Sequence, residues 1–276
     1  MSLPIALLLG VVQGLTEFLP VSSTAHLYIV QALLGIPNDE IALSFDVVLH
    51  LGTAAALLLV FAREIRALLE EAFLWVSGRP ARDPAARALI LPLALGTVPG
   101  VLAGLFLLKR IEGVRTLALI GLSMLVACAY FLLSESRGKA RVTSERDLSR
   151  ITPADALWIG LAQAAAGLMA GFSRSGFTIS TGRLRGFERA EAARFSFLLA
   201  LPIILGAGAK ALLDLRKAPQ PAAGGAVLAA GFVASGAVGF VVVRFLLRYL
   251  KNHTLQPFAI YLGALGIVLL AVSFAR

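Results

Sequence analysis

Six long apolar runs constrain this chain more than any other feature. Each run is about 19 to 23 residues long, which is the length that an α-helix needs to cross a bilayer. Hydrophobic residues make up 58% of the chain and charged residues 15%, which excludes an ordinary soluble domain and a disordered chain. Continuous runs also exclude a transmembrane barrel, whose strands alternate. We therefore predict an all-α polytopic membrane protein with six transmembrane helices, at 44–62, 88–108, 116–134, 193–213, 225–247 and 255–274.

Two polar segments, 13–26 and 171–180, interrupt this apolar pattern. Each lies between apolar stretches that are too short to span a bilayer separately. A polar turn between two short helices predicts a re-entrant helix pair, which is tolerated at membrane depth only when it is buried in protein or lines a wet cavity. Ionisable groups at that depth are expensive, so they are candidates for function. The short helices are predicted at 3–15, 24–35, 154–168 and 178–184.

Weak internal similarity divides the single domain, 1–276, into two repeats at roughly 1–136 and 154–276. Gly10-Val-Val-Gln13 matches Gly160-Leu-Ala-Gln163, and the order of elements recurs. Each half holds one re-entrant pair and three spans, so the odd number of spans inverts the second half relative to the first. Inverted repeats bring broken helices together near the midplane. We therefore expect the two polar segments to face each other.

The basic residues predict the orientation of the chain. Four loops carry 17 of the 25 Lys and Arg residues, at 63–87, 135–153, 183–194 and 244–253. The positive-inside rule places these loops in the cytoplasm and both termini outside. The net charge of +9 is then explained by contact with anionic membrane lipids, and we expect no nucleic-acid partner.

The first polar segment combines a carboxylate, several hydroxyls and an imidazole. Pro20 disfavours a continuous helix, so Ser22 or Ser23 can cap the helix that follows. Ser23 and His26 are one turn apart and can form a nucleophile–base pair, with Glu17 orienting the imidazole. Glu17 could instead hold a divalent cation. A purely structural cap is the alternative, but a cap requires neither a carboxylate nor an imidazole.

The second polar segment places Arg174 between two serines and two glycines. Arginine offers planar donors that suit phosphate. Gly171 and Gly176 would let backbone N–H groups approach an anion at the start of a helix. The alternative is an arginine that snorkels or pairs with Glu17. The two segments together predict an anion cradle beside a nucleophile or base in a lipid-accessible protein, which suits phosphoryl transfer from a phosphorylated lipid to water.

Two further histidines lie outside these segments. Asp46 and His50 are four residues apart, so they share a face of the 44–62 helix. We interpret them as side chains that support the polar site, with a polar contact between spans as the alternative. His253 lies in a basic loop, where we expect it to be solvated.

Both polar segments resemble signature motifs of a known family. The first reads Gly14-Leu-Thr-Glu-Phe-Leu-Pro-Val-Ser-Ser-Thr-Ala-His26, and the second reads Gly171-Phe-Ser-Arg-Ser-Gly-Phe-Thr-Ile-Ser180. They are similar to the motifs of bacterial undecaprenyl-pyrophosphate phosphatases of the bacitracin-resistance type, and the similarity covers essentially the whole chain. The resemblance implies six spans, two re-entrant helix pairs and an inverted-topology repeat.

The same resemblance implies an activity and its setting. Members of the family remove the terminal phosphate of undecaprenyl pyrophosphate on the outer, periplasmic side of the bacterial cytoplasmic (inner) membrane. This recycles the lipid carrier for peptidoglycan and other envelope polymers. The family depends on a divalent cation, here expected to be Mg²⁺ or Ca²⁺, and its members are often homodimers.

Roles carry over by position from the family's motifs. The catalytic residues implied are Glu17, Ser23, His26 and Arg174, with Glu17 also the candidate metal ligand. Ser23 is the first choice of nucleophile and His26 its base; the variants are His26 itself or an attacking water. Gln13 stands where many members carry a glutamate, which weakens a metal scheme that needs two carboxylates. The residues expected to bind substrate are Gln13, Ser22, Thr24, Gly171, Ser173, Ser175, Gly176 and Thr178.

Two other classes of function remain open from the residues alone. Inverted repeats and broken helices are also features of transporters, so a transporter or flippase of lipid phosphates is the main alternative. Transport requires a binding cradle but not a Ser–His pair, which favours catalysis. A purely structural scaffold would leave the two polar segments unexplained.

Overall fold

Regular secondary structure in the computed structural model is helical throughout the residues that it describes, which are 1–37, 39–106, 116–141, 146–215 and 224–275. A 3₁₀ turn at Leu148–Arg150 follows the sixth helix. In chain order the α-helices are α1 Leu3–Thr16, α2 Ser23–Leu33, α3 Glu40–Val60, α4 Ala62–Val76, α5 Pro84–Phe106, α6 Leu117–Arg141, α7 Pro153–Gly167, α8 Arg174–Leu184, α9 Arg189–Leu215, α10 Gly225–Asn252 and α11 Gln256–Phe274.

Six of these helices, α3, α5, α6, α9, α10 and α11, are long and apolar enough to cross a membrane. The prediction of an all-α polytopic membrane protein with six spans is therefore confirmed. Several helices continue beyond the predicted bounds: α6 reaches Arg141 and α10 reaches Asn252. An apolar run marks the part of a helix inside the bilayer, whereas Glu, Arg and Lys are good helix formers and extend it into water.

The two polar segments form breaks between short helices, as predicted. The first break separates α1 from α2, and the second separates α7 from α8. In the first, Ser22 has a φ of +70°, a left-handed conformation that L residues rarely adopt. In the second, α8 begins at Arg174 and not at 178, because Ser173 caps it. The re-entrant placement of both pairs in a bilayer stays a prediction.

Helix α4 was missed by the sequence prediction, which treated 63–87 as a loop. Its apolar residues recur at helical spacing but alternate with charges, so no long apolar run marks them. Glu71 anchors this helix and is 1% exposed. Its carboxylate accepts backbone N–H bonds from Arg82 and Asp83, each at 2.7 Å, and a bond from Arg87 Nε at 2.9 Å. These bonds fix the turn from α4 into α5.

Helices of one proposed half pack mainly against helices of the other half. Helix α1 packs against α10, α7 packs against α5, and α6 packs against α11. Small residues allow the close approaches: a Cβ at Gly10 would lie 2.7 Å from Ala234 Cβ, and a Cβ at Gly160 would lie 2.2 Å from the Gly96 carbonyl oxygen. Such packing is what two inverted halves would produce, and the internal repeat itself stays a prediction.

The basic loops predicted to share one side contact one another. Arg146 pairs with Asp155 at 2.9 Å and donates to the carbonyl of Arg185 at 3.1 Å. Arg189 pairs with Glu135 at 2.6 Å. We call this region, defined by Glu135, Arg146, Asp155, Arg185 and Arg189, the ion-pair end of the molecule.

Candidate active site

A cavity of about 340 Å³ lies where the two polar breaks meet. The two segments therefore face each other, as the sequence predicted. The rest of its wall comes from α3, α6, α9 and the end of α7 and is largely apolar. The polar side chains that line the cavity are Glu17, Ser22, Ser23, Thr24, His50, Ser123, Ser173 and Arg174.

Glu17 is the centre of this site and is 6% exposed. Its Oε1 accepts a hydrogen bond from Arg174 Nη2, which joins the first break to the second. Its Oε2 accepts from Ser23 Oγ at 2.6 Å and from Gln13 Nε2 at 3.0 Å. His50 Nε2 lies 3.5 Å from the same oxygen. The carboxylate thus gathers a guanidinium, a hydroxyl, an amide and an imidazole.

Arg174 is the first residue of α8 and points into the cavity. Ser173 caps this helix, because its Oγ accepts the backbone N–H of Gly176 at 3.2 Å. The positive end of the helix dipole therefore faces the cavity beside the guanidinium. The ion pair with Glu17, which the sequence left as an alternative, is present. The arginine side chain is still 21% exposed, so part of its guanidinium remains accessible to an anion.

Neither Ser22 nor Ser23 caps α2 with its side chain, and each hydroxyl binds another partner. Ser22 occupies the cap position of α2, but its side chain makes no cap bond. Its Oγ instead donates to the carbonyl of Ala170 at 2.6 Å, which ties the two breaks together. The Ser23 hydroxyl turns to Glu17. The expected capping by either side chain is therefore wrong, and Ser23 is presented to the cavity.

The predicted Ser23–His26 pair is wrong. His26 Nδ1 lies 2.8 Å from the Ser22 carbonyl oxygen, and its Nε2 lies 2.7 Å from the Tyr261 hydroxyl. The two rings stack with centroids 5.7 Å apart. His26 is thus held between α2 and α11, and it is absent from the described residues that line the cavity. Sequence spacing showed that Ser23 and His26 could meet, but Glu17 and Tyr261 provide closer partners.

The motif glycines allow a close approach to α6. A Cβ at Gly171 would lie 2.3 Å from the carbonyl oxygen of Ile120. A Cβ at Gly176 would lie 2.0 Å from Cζ of Phe131. Both glycines thus let α8 and the break before it approach α6, and their direct contact with phosphate stays a prediction.

The hydroxyls of the second segment divide into two groups. Ser173 lines the cavity beside Arg174. Ser175 is buried, and its Oγ lies 3.2 Å from Ser173 Oγ. Thr178 is fully buried, and its Oγ1 lies 2.5 Å from Ser196 Oγ. Within the described part of the chain, Ser175 and Thr178 do not line the cavity. Both side chains pack α8 against its neighbours, and their contact with substrate stays a prediction that the geometry does not favour.

His50 lies closer to the centre of the site than its interpretation as a supporting side chain implied. Its ring lines the cavity from α3, and its Nδ1 lies 2.7 Å from the Asp46 carbonyl oxygen. The Asp46 side chain instead accepts from Gln31 Nε2 at 2.7 Å. The spacing of Asp46 and His50 indicated a polar face on this span, but it could not show that α3 brings the imidazole to Glu17.

The described residues do not fit a divalent cation held by the protein alone. No group of three or more His, Cys, Asp or Glu side chains gathers anywhere in the described ranges. Both oxygens of Glu17 already accept hydrogen bonds, and Arg174 places a positive charge beside them. Gln13 turns its amide nitrogen toward Glu17. Mg²⁺ and Ca²⁺ prefer several oxygen ligands, so Glu17 as a metal ligand stays a prediction that the geometry does not favour.

Comparisons with known proteins identify the family of this chain. The model of the family described as "Bacitracin resistance protein BacA" matches residues 6–268. The undecaprenyl-diphosphatase of Rubrobacter xylanophilus is 41% identical over 272 residues, which cover 97% of each chain. That of Pelobacter propionicus is 42% identical over 95% of this chain and 93% of its own, and that of Geobacter sulfurreducens is 41% identical over 98% of both. This chain belongs to the BacA family of bacitracin resistance proteins.

Proposed function

We propose that this protein is an undecaprenyl-diphosphatase, a hydrolase that converts undecaprenyl pyrophosphate to undecaprenyl phosphate and inorganic phosphate within a membrane. The observation that carries this proposal is the group formed by Glu17, Arg174 and Ser23 in a cavity between membrane spans. Relatives at about 40% identity bear the name undecaprenyl-diphosphatase. Product release would recycle the lipid carrier for peptidoglycan synthesis.

The cavity suits a substrate with a charged head and an apolar tail. Arg174 and the N-terminus of α8 face the space where a pyrophosphate would bind. Side chains from two spans supply the apolar wall for the first prenyl units: Leu119, Ile120, Ile203 and Ile204. A bound pyrophosphate would compete with Glu17 for the guanidinium, which would leave the carboxylate free to accept a proton.

The geometry favours Ser23 as nucleophile and Glu17 as its base. Ser23 Oγ would form a bond to the terminal phosphorus while the anhydride P–O bond breaks and undecaprenyl phosphate leaves with the electron pair. Glu17 Oε2, at 2.6 Å, would take the hydroxyl proton. Arg174 would stabilise charge that develops on the phosphoryl oxygens. Water would then cleave the phosphoserine, and Ser23 would recover its proton.

Phosphate release from undecaprenyl pyrophosphate by the purified protein tests this function. We expect Ser23→Ala to lose roughly 10³-fold or more in turnover, because a covalent route loses its nucleophile. Ser175→Ala is the matched control, since Ser175 is buried outside the cavity. Full activity of Ser23→Ala would leave water or His26 as the nucleophile. An absence of phosphate release, combined with lipid exchange between leaflets, would instead favour the transporter alternative.

We also propose that the cavity opens toward the periplasmic side of the cytoplasmic membrane. Its lining residues Leu119 and Gly208 lie near the ends of α6 and α9 that are far from the ion-pair end. The basic loops gather at the ion-pair end, and such loops are cytoplasmic by the positive-inside rule. Turnover of added substrate by right-side-out vesicles, with little turnover by inverted vesicles, would support this orientation.

A divalent cation is proposed to accompany the substrate. Of the side chains described, Glu17 is the one carboxylate that lines the cavity, and it already accepts hydrogen bonds. The described residues hold no cluster of metal ligands. Mg²⁺ or Ca²⁺ would therefore be bound mainly by pyrophosphate oxygens and water. Activity should then depend on the cation at concentrations set by its affinity for free pyrophosphate. Assembly as a homodimer stays a prediction from the family resemblance.

A further inference from the structure

The three histidines of this chain share one backbone contact and differ at the other ring nitrogen. In each, Nδ1 lies close to the carbonyl oxygen of the residue four positions earlier. The pairs are His26 with Ser22 at 2.8 Å, His50 with Asp46 at 2.7 Å, and His253 with Tyr249 at 3.0 Å. A carbonyl oxygen can only accept, so Nδ1 carries the hydrogen and Nε2 is left to exchange a proton.

The partners of Nε2 separate the three rings by function. His26 Nε2 contacts the Tyr261 hydroxyl outside the described cavity wall. His253 stacks on Tyr249 in an exposed turn after α10. His50 Nε2 lies 3.5 Å from Glu17 Oε2, the same oxygen that accepts the Ser23 hydroxyl. Only this third arrangement, among the histidines, connects an imidazole to the nucleophile.

The setting of His50 suits proton exchange with a small molecule in the cavity. Its side chain is 29% exposed and lines the cavity wall, so water can reach it. The charged groups that line the cavity with it are Glu17 and Arg174. Asp46, on the same helix, directs its carboxylate to Gln31. The imidazole therefore faces the reacting groups with one nitrogen fixed and the other accessible.

We propose that His50 is a further imidazole that serves the reaction, and that it activates the water that hydrolyses the phosphoserine. This rests on the proposed function. In the first step the proton of Ser23 moves to Glu17 as the anhydride bond breaks. In the second, water forms a bond to phosphorus and gives a proton to His50 Nε2, while Ser23 Oγ leaves with the electron pair and regains the proton from Glu17. His50 then releases its proton with the phosphate product.

The test compares His50→Gln with His253→Gln, the matched control far from the cavity. In His50→Gln, phosphoserine formation proceeds and its hydrolysis slows, so kcat falls roughly 10²- to 10⁴-fold. Rapid acid quenching should then show one equivalent of undecaprenyl phosphate released per enzyme and phosphate retained on Ser23. His253→Gln should keep wild-type kcat and show no such accumulation. A role in folding alone would not produce a trapped phosphoenzyme.

A second variant keeps the proposal testable if glutamine disturbs the site. His50→Ala leaves a space beside Glu17, and added imidazole should restore part of the lost kcat. Unchanged kcat in His50→Gln, or lost kcat with neither phosphoserine accumulation nor imidazole rescue, would overturn the role of His50 alone. Accumulation in His26→Gln but not in His50→Gln would assign the role to His26. Absence of phosphate release by the wild-type protein would overturn the proposed function itself, and this role with it.

Discussion

Glu17 and Glu135 are both buried carboxylates that pair with an arginine from another helix, yet their surroundings differ. Glu135 accepts three bonds from Arg189, at 2.9, 3.1 and 2.6 Å, and one from the backbone N–H of Leu255 at 3.0 Å. Glu17 shares one oxygen with Arg174 and offers the other to Ser23, beside a cavity. The Glu135–Arg189 pair therefore joins helices. The Glu17–Arg174 pair uses the same chemistry, but a hydroxyl and a cavity beside it give a substrate access to its charges.

Among changes to these two ion pairs, loss of the cavity arginine should have the largest effect and would sharpen this contrast. Arg174→Ala removes the cation that faces the proposed pyrophosphate and leaves Glu17 without its ion pair. We expect turnover to fall by roughly 10³-fold, as for removal of a preorganised donor to developing charge. Phosphate release per folded molecule, measured in detergent, gives the loss.

Arg174→Lys is the companion variant for that measurement. It keeps the charge but loses the planar fork of donors, so its turnover should lie between wild type and Arg174→Ala. Near-normal turnover in both variants would contradict the assignment of this pair as the reactive one.

Removal of Glu135 should act on stability and leave the chemistry intact. Glu135→Ala leaves Arg189 and the Leu255 N–H without this acceptor at a position where the carboxylate is 1% exposed. Breaking a buried pair in this way costs roughly 3–5 kcal/mol. We expect a lower Tm in detergent, with turnover per folded molecule within about twofold of wild type. A large loss of turnover in molecules that remain folded would erase the distinction between the two carboxylates.

Most of the fold could be predicted from the sequence because bilayer spans leave long apolar runs. The six spans follow from that signal, and the two polar breaks follow from its interruption. Helix α4 could not be predicted in this way, since it runs outside the apolar segments and mixes charge with apolar residues. Its fixed position depends on Glu71, whose partners lie 11 to 16 residues later.

The candidate site was predictable in part. Glu17, Ser23 and Arg174 were found because ionisable and hydroxyl groups are costly at membrane depth, and the structure brings them together. Local spacing then favoured His26 as the base, whereas packing of α3 beside the first break brings His50 to Glu17. Contacts between distant helices decide which imidazole reaches Glu17, and spacing along one helix carries no information on them.

A glycine at the contact between α8 and α6 gives a smaller effect, which tests the packing of the helix that carries Arg174. Gly176 lies in the first turn of α8, where an added Cβ would lie 2.0 Å from the Phe131 ring. Gly176→Ala should therefore destabilise the protein by about 1–3 kcal/mol through overpacking. A smaller side chain in Phe131→Leu should recover part of that loss in the double variant, as measured by Tm. Unchanged Tm with reduced phosphate affinity would instead return Gly176 to a role in anion binding.

The smallest expected effect is the acid sensitivity of the ion-pair end. Burial by itself would raise the pKa of Asp155, but hydrogen bonds from Arg146, Arg185 and Thr152 outweigh it and lower the pKa from 3.8 to about 2. Because the folded-state pKa is the lower one, the ionised carboxylate stabilises the fold above pH 3.8, and this contribution disappears as the pH falls toward 2.

Thermal unfolding of wild type and Asp155→Asn across this pH range measures that contribution. The difference in Tm between the two proteins should be constant above pH 4 and shrink below it, because the neutral amide does not titrate. The effect should be modest, since the side chains of Arg146 and Arg185 are 28% and 38% exposed and solvent screens them. Parallel curves of Tm against pH down to pH 2 would show that Asp155 holds the loops together through hydrogen bonds that do not need its charge. The ion-pair end would then differ from the Glu17 site in electrostatics as well as in access to the cavity.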